Sequence, residues 1–166
     1  MGSSYAVENA ASGGHVWAWG SGIHGKLGQG PLDMDDHPYP VEVKNSTDDG
    51  YLSNIIAVSG GGWHVLALDN EGHVWAWGWN AYGQLGNNST NYSSLPVQVQ
   101  AGEQNPSHPE YALSDIIYID AGWYYSTAIE LNGRVWVWGE NGSHLGLNEL
   151  YPPSNHLRPK LMPNTK

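Results

Sequence analysis

Eight histidines, an acidic run at Asp33-Met34-Asp35-Asp36 and a surplus of tryptophan and tyrosine are the residues of this chain that could do chemistry. The histidines are His15, His24, His37, His64, His73, His108, His144 and His156, and no two stand at the His-Glu-x-x-His spacing of a helical zinc site. The acidic run offers hard oxygen ligands, but it lacks the glycine and the distal glutamate of a calcium loop and reads as a solvated segment. Serines are plentiful, yet none lies in a nucleophile-elbow string. With no cysteine, thiolate and disulfide chemistry are absent. The sequence therefore predicts a non-enzymatic chain with no catalytic residue, no metal and no cofactor. His64, at a strand start after a glycine run, is expected to make a structural hydrogen bond.

The aromatic residues carry more information. There are 9 Trp and 10 Tyr but no Phe, so the chain uses aromatic rings that also bear a polar edge. Six tryptophans, Trp17, Trp19, Trp75, Trp77, Trp136 and Trp138, recur in a Val-Trp-x-Trp-Gly pattern and are assigned to the core. Trp63, Trp79, Trp123, Tyr82, Tyr124 and Tyr125 stand outside that pattern, in turns or at strand starts. Trp and Tyr anchor protein interfaces and also stack on sugar rings. A binding face, if present, is expected at Trp63, Trp79, Tyr82, Trp123 and Tyr124, with His24 at the position matching Tyr82; the competing reading is that these rings pack the junctions between sheets.

The recurring elements define the architecture. Gly14-His15-Val16-Trp17-Ala18-Trp19-Gly20, Gly72-His73-Val74-Trp75-Ala76-Trp77-Gly78 and Gly133-Arg134-Val135-Trp136-Val137-Trp138-Gly139 are copies of one segment, 58 and 61 residues apart. Each is followed by a Leu-Gly loop end (Leu27-Gly28, Leu85-Gly86, Leu145-Gly146) and by a Pro-led apolar stretch at Pro40, Pro96 and Pro159. Ile55-Ile56 and Ile116-Ile117 open a further strand, and Ser4-Tyr5-Ala6-Val7, His64-Val65-Leu66-Ala67-Leu68 and Tyr125-Ser126-Thr127-Ala128-Ile129 another. Asp69-Asn70-Glu71-Gly72 and Leu131-Asn132-Gly133 have hairpin chemistry. Alternation puts both Trp of Val74-Trp75-Ala76-Trp77 on one face and Val and Ala on the other, so both faces must be covered. A propeller blade between two neighbours meets that requirement, with the small face of one blade taking the indoles of the next.

The predicted fold is all-β: four-stranded antiparallel blades in a partial ring of about three, as one unit over residues 1–166. The copies span about 4–60, 64–121 and 125–166, the last lacking its final strand, and eleven candidate strands result. Trp77-Gly78-Trp79-Asn80-Ala81-Tyr82-Gly83-Gln84-Leu85-Gly86 resembles the signature Trp-Gly-x-Asn-x-x-Gly-Gln-Leu-Gly of the regulator-of-chromosome-condensation repeat family. With the Ile-Ile, Gly-Gly-x-His and Pro-Val elements in family order, the resemblance covers nearly the whole chain. The first copy departs at Ser21-Gly22-Ile23-His24-Gly25-Lys26-Leu27-Gly28, and the third, Glu140-Asn141-Gly142-Ser143-His144-Leu145-Gly146, is one residue short. The resemblance implies a seven-bladed ring whose loops recognise proteins on one face, the mode of a nuclear exchange factor, a light sensor and bacterial β-lactamase inhibitors. Three repeats cannot close such a ring, so the chain is expected to be cut from a longer propeller or to close one with further copies of itself.

Charge narrows the partners. The balance is 16 acids against 6 bases, a net −10, and the bases are scattered. No basic cluster suits phosphates, so neither nucleic acid nor an anionic membrane is expected as a partner. Charged residues make up only 13%, and the aromatic content argues against disorder. No stretch of 18 apolar residues is present. No signal peptide is visible; Met1-Gly2-Ser3-Ser4 reads as an added start, and the Cys-free, Trp- and Asn-rich composition leans towards a secreted bacterial source. Asn-x-Ser/Thr strings at Asn45, Asn87, Asn88, Asn91 and Asn141 read as turn chemistry. The leading function is a protein-binding module that self-associates; the alternatives are a lectin-like carbohydrate binder, a guanine-nucleotide exchange factor, and a fragment without independent function.

Overall fold

The period-two pattern of the repeated segments becomes strands in the computed structural model, which describes residues 2–8, 13–31, 33–142, 145–147 and 154–163. Met1, Ser143, His144 and Thr165-Lys166 lie outside the described residues. A first sheet holds β1 (Ser3–Val7), β2 (Val16–Gly20) and β3 (His37–Glu42) in that order. A second holds β4 (Ile55–Gly60), β5 (His64–Asp69), β6 (Val74–Gly78) and β7 (Ser93–Gln98). A third holds β8 (Ile116–Ala121), β9 (Tyr125–Glu130), β10 (Val135–Gly139) and β11 (His156–Leu161). Every pairing is antiparallel between consecutive strands.

The sheets divide the chain one strand away from the sequence copies. β4, placed at the end of the first copy by its sequence, pairs with β5, and β8 likewise pairs with β9. The turns at Gly61–Trp63 and Gly122–Tyr124 are short enough to fold each Ile-Ile strand back on its successor, while longer loops carry β3 to β4 and β7 to β8. Among the described residues, the sheet with three strands is therefore the first, and the third has four. The prolines also shift: Pro40, Pro96 and Pro159 are the fourth residues of β3, β7 and β11 rather than strand openers. Each falls where the ladder to the Trp strand breaks register, on an edge strand, where a missing N–H costs nothing.

The core lies between sheets. Trp77 packs among Val16, Ala18, Leu27 and Val43 of the first sheet and its loop. Trp136 and Trp138 do the same against Val74, Ala76, Leu85 and Val99 of the second. These three indoles are 0% exposed. The six indoles assigned to the core therefore separate: Trp75 is half-buried, and Trp17 and Trp19, on the face of the first sheet turned away from the second, are half-buried as well. Trp17 and Trp19 differ from the sealed indoles because no Val/Ala face stands in front of them among the described residues, whereas Trp75 packs at the margin of the junction that Trp77 fills. Each sealed pair is also pinned by a bond across the junction: Trp77 Nε1 donates to the Lys26 carbonyl and Trp138 Nε1 to the Gln84 carbonyl, both at 2.9 Å. At the other end of the strand, Trp75 and Trp136 donate to the carboxylates of Asp69 and Glu130.

His64 belongs to this framework. It is 1% exposed, and its Nε2 lies 2.8 Å from Ser126 Oγ, whose hydroxyl donates to the Gln84 carbonyl at 2.8 Å. The single hydroxyl proton is spent on the carbonyl, so the network assigns His64 as the Nε2–H donor. Burial pushes its pKa down to about 3 from the 6.5 of a free imidazole. Between those values the unfolded chain takes up a proton that the folded chain refuses. Stability is complete above pH 6.5 and falls as pH drops towards 3, at about 1.4 kcal/mol per unit.

Two outcomes follow. Trp77→Ala should cost about 3–5 kcal/mol in denaturant unfolding, and Trp19→Ala distinctly less, because only the first empties a closed junction. Unfolding at pH 4 should show about 3 kcal/mol of His64-dependent loss relative to pH 7, which disappears when His64→Gln is compared with the parent.

Candidate functional site

The strand directions bring the turns after β4 and β8, and the loops after β2 and β6, to one end of the sheets. The turns are held close by glycine: a Cβ on Gly61 would stand 2.4 Å from the Gly122 carbonyl, and one on Gly62 would stand 2.9 Å from that of Trp123. Gly62 N–H donates to the Gly122 carbonyl at 3.1 Å, locking the two turns side by side. Trp63 and Trp123-Tyr124 are thereby presented from neighbouring sheets.

The loop after β6 is organised by Asn80, which is fully buried. Its amide donates to the carbonyls of Ser89 and Asn91, both at 2.9 Å, and to Asn87 Oδ1 at 3.1 Å. Its oxygen accepts from Leu85 N–H at 2.9 Å. Gln84 Oε1 accepts from Tyr82 N–H at 3.0 Å, and Trp79 N–H donates to the Trp63 carbonyl at 2.9 Å. In the first copy Gly22 stands where Asn80 does, and its N–H donates to Asp36 Oδ1 at 3.0 Å. There His24 takes up a left-handed backbone, φ 62°.

The six residues singled out by sequence form one continuous chain of rings. His24 lies 5.5 Å from Trp63 and 6.1 Å from Trp79, centroid to centroid. Trp79 meets Tyr82 at 5.3 Å and Tyr124 at 5.4 Å; Tyr82 and Tyr124 are 5.3 Å apart. Trp123 extends the row, 6.2 Å from Tyr124, and is 62% exposed. Edge-to-face contacts dominate, the arrangement aromatic quadrupoles prefer. His24, Trp63, Trp79 and Tyr124 enclose an open cavity of about 270 Å³. Tyr125, the other surplus tyrosine, instead lies over Gly122, where a Cβ would be 2.4 Å from its ring.

Sequence reasoning did not place Lys26, Asn80 or Gln84 at this end. The available signal was the loop signature itself, in which Asn80 and Gln84 stand at defining positions and Lys26 replaces the glutamine in the first copy. His64 and Ser126 do not form a nucleophile pair, since the hydroxyl is buried and committed and Nδ1 has no partner. In the acidic run, Asp33 bonds His37 and Asp36 bonds Gly22. Among the described residues, no three His, Cys, Asp or Glu side chains converge as metal ligands would.

Comparison with known proteins agrees with this architecture. The family model of the regulator of chromosome condensation (RCC1) repeat matches residues 13–68 and 71–129, and a second model of that repeat matches 55–84 and 116–144. The chain is similar to the ultraviolet-B receptor UVR8 of Arabidopsis thaliana, 28% identical over 82% of this chain and 28% of that protein. It is also similar to a bifunctional serine/threonine-protein kinase/NEDD4-like E3 ubiquitin-protein ligase of Dictyostelium discoideum, 33% identical over 77% of this chain and 7% of that protein. Among solved structures, Prp20p from Saccharomyces cerevisiae superposes with a TM-score of 0.67 at 30% identity over 90% of this chain and 34% of that one. Human WBSCR16, at a TM-score of 0.70 and 18% identity over 97% of this chain and 40% of that one, shares the fold. The chain thus spans less than a third of either relative's sequence, and these relatives are eukaryotic, which lends no support to the bacterial source expected from composition. Repeated Trp strands, blade-like sheets and these matches lead to one conclusion: the chain belongs to the regulator of chromosome condensation (RCC1) repeat family.

Proposed function

We propose that this chain is a non-enzymatic protein-interaction module that binds its partner through the aromatic end of the sheets. The observation that carries the reading is the continuity of the ring row: loops from all three sheets converge on it, yet Trp123 remains 62% exposed. Large rigid rings on a polar-edged surface are the groups that dominate interface energetics. The yeast neighbour Prp20p is described with its binding to Gsp1p and histones, so protein recognition is at home on this fold. Nucleotide exchange on a GTPase and nucleosome docking are not carried over, because net charge −10 with dispersed bases offers no matching footprint.

The same reading includes self-association. The half-buried Trp17/Trp19 face of the first sheet is the kind of face that β6 and β10 bury against a neighbour, and a second copy would supply the covering sheet.

Trp79→Ala should weaken binding to an identified partner about 30-fold or more, while Tyr39→Ala, at an outer edge strand, leaves it unchanged; calorimetry on both variants reads this. Equal affinity of Trp79→Ala and parent would overturn the face assignment, and binding confined to sugars on a glycan array would replace protein by carbohydrate. Native mass spectrometry should show a dimer or larger species, and a strict monomer would remove the self-association.

A further inference from the structure

Trp63 also lines a second cavity. There the Lys26 ammonium lies 5.3 Å from the centre of the Trp63 ring. Lys26 is only 4% exposed. Lys44 and Arg134 each have a carboxylate within 2.9 Å, whereas the Lys26 ammonium has no hydrogen bond or ion pair among the described residues. Burial lowers its pKa, opposed by the more distant charge of Asp36. Asp36 is itself engaged by the Gly22 N–H.

The cavity, about 320 Å³, is lined by Lys26, Trp63, Trp123, Ser3, Tyr5 and the Gly60–Gly62 run. Most of its polar groups are already committed. Ser3 Oγ donates to the Ser21 carbonyl at 2.8 Å, and Tyr5 OH to the Lys26 carbonyl at 3.1 Å. Gly61 N–H donates to the His64 carbonyl at 2.8 Å and Gly62 N–H to that of Gly122 at 3.1 Å. The charged group left to bind a ligand is the Lys26 ammonium. A largely buried lysine whose ammonium lies over a π face, with no hydrogen bond or ion pair among the described residues, gains most from a single carboxylate oxygen. A phosphate would demand more donors than the cavity has, against a chain of net charge −10.

We propose that this cavity is a carboxylate socket, filled by an Asp or Glu side chain of the protein partner that docks on the aromatic face. The proposal rests on the protein-binding reading above and adds the partner's chemistry: one acidic side chain beside apolar or aromatic groups. The chain's own negative field disfavours partners that are acidic throughout.

The test uses N-acetyl-glutamate as probe and N-acetyl-glutamine as its neutral twin, read by the Lys26 side-chain and Trp63 indole NMR signals. The expected result is a saturable shift with the glutamate alone, a rise in the Lys26 pKa on saturation, and weakening with added salt. Lys26→Gln, which installs the residue the second copy carries at Gln84, should cut the affinity at least tenfold, whereas Lys26→Arg keeps the response. Equal shifts from both probes, or a response preserved in Lys26→Gln, would overturn the socket. Trp79→Ala should leave the probe response intact while weakening partner binding. A failed socket with intact Trp79 dependence therefore sinks this inference alone, and the reverse sinks only the assignment of the binding face.

Discussion

Everything in this structure depends on one contact: a pair of indoles from one sheet set into the Val/Ala face of the sheet before it. Burying a tryptophan removes a large apolar area from water, but its N–H must still find an acceptor. The chain meets that need with a loop carbonyl from the preceding sheet, Lys26 for Trp77 and Gln84 for Trp138. Packing and hydrogen bonding thus act across the same junction. A sheet cannot slide along its neighbour without exposing apolar surface and stranding a buried donor together.

That junction also builds the candidate site. The loops that hand their carbonyls to the buried indoles are the loops that carry His24 and Tyr82. Gln84 turns its backbone oxygen inward to Trp138 and Ser126 and its side-chain oxygen to the Tyr82 N–H. Lys26 turns its carbonyl inward to Trp77 and its ammonium outward over Trp63. Core and surface are therefore two sides of one loop. This is how a surface of partly exposed rings avoids collapsing into the core.

Much of this was legible in the amino-acid string. The eleven strands followed from alternation and turn residues, and the interlock of small and large faces followed from Val-Trp-Ala-Trp. The surplus aromatics could be separated from the core tryptophans because they broke the repeat. The grouping of strands into sheets was not legible. Copies of a repeat look alike wherever the unit is cut, and only the Gly61–Trp63 and Gly122–Tyr124 turns decide that an Ile-Ile strand pairs forward. The unequal burial of the six recurring tryptophans was equally hidden, since identical segments read identically while their neighbours differ.

By itself the sequence determined which residues lie on each face of each strand, because side-chain alternation is a local property of extended backbone. It likewise determined the absence of cysteine chemistry. Tertiary structure alone decided that His24, Trp63, Trp79, Tyr82, Tyr124 and Trp123 touch in a single row, since they come from loops of three sheets far apart in the chain. It also decided the fate of Lys26. One more base among six in the sequence, it becomes a largely buried lysine whose ammonium lies over Trp63, carried there by the turn before β5, with no ion pair among the described residues.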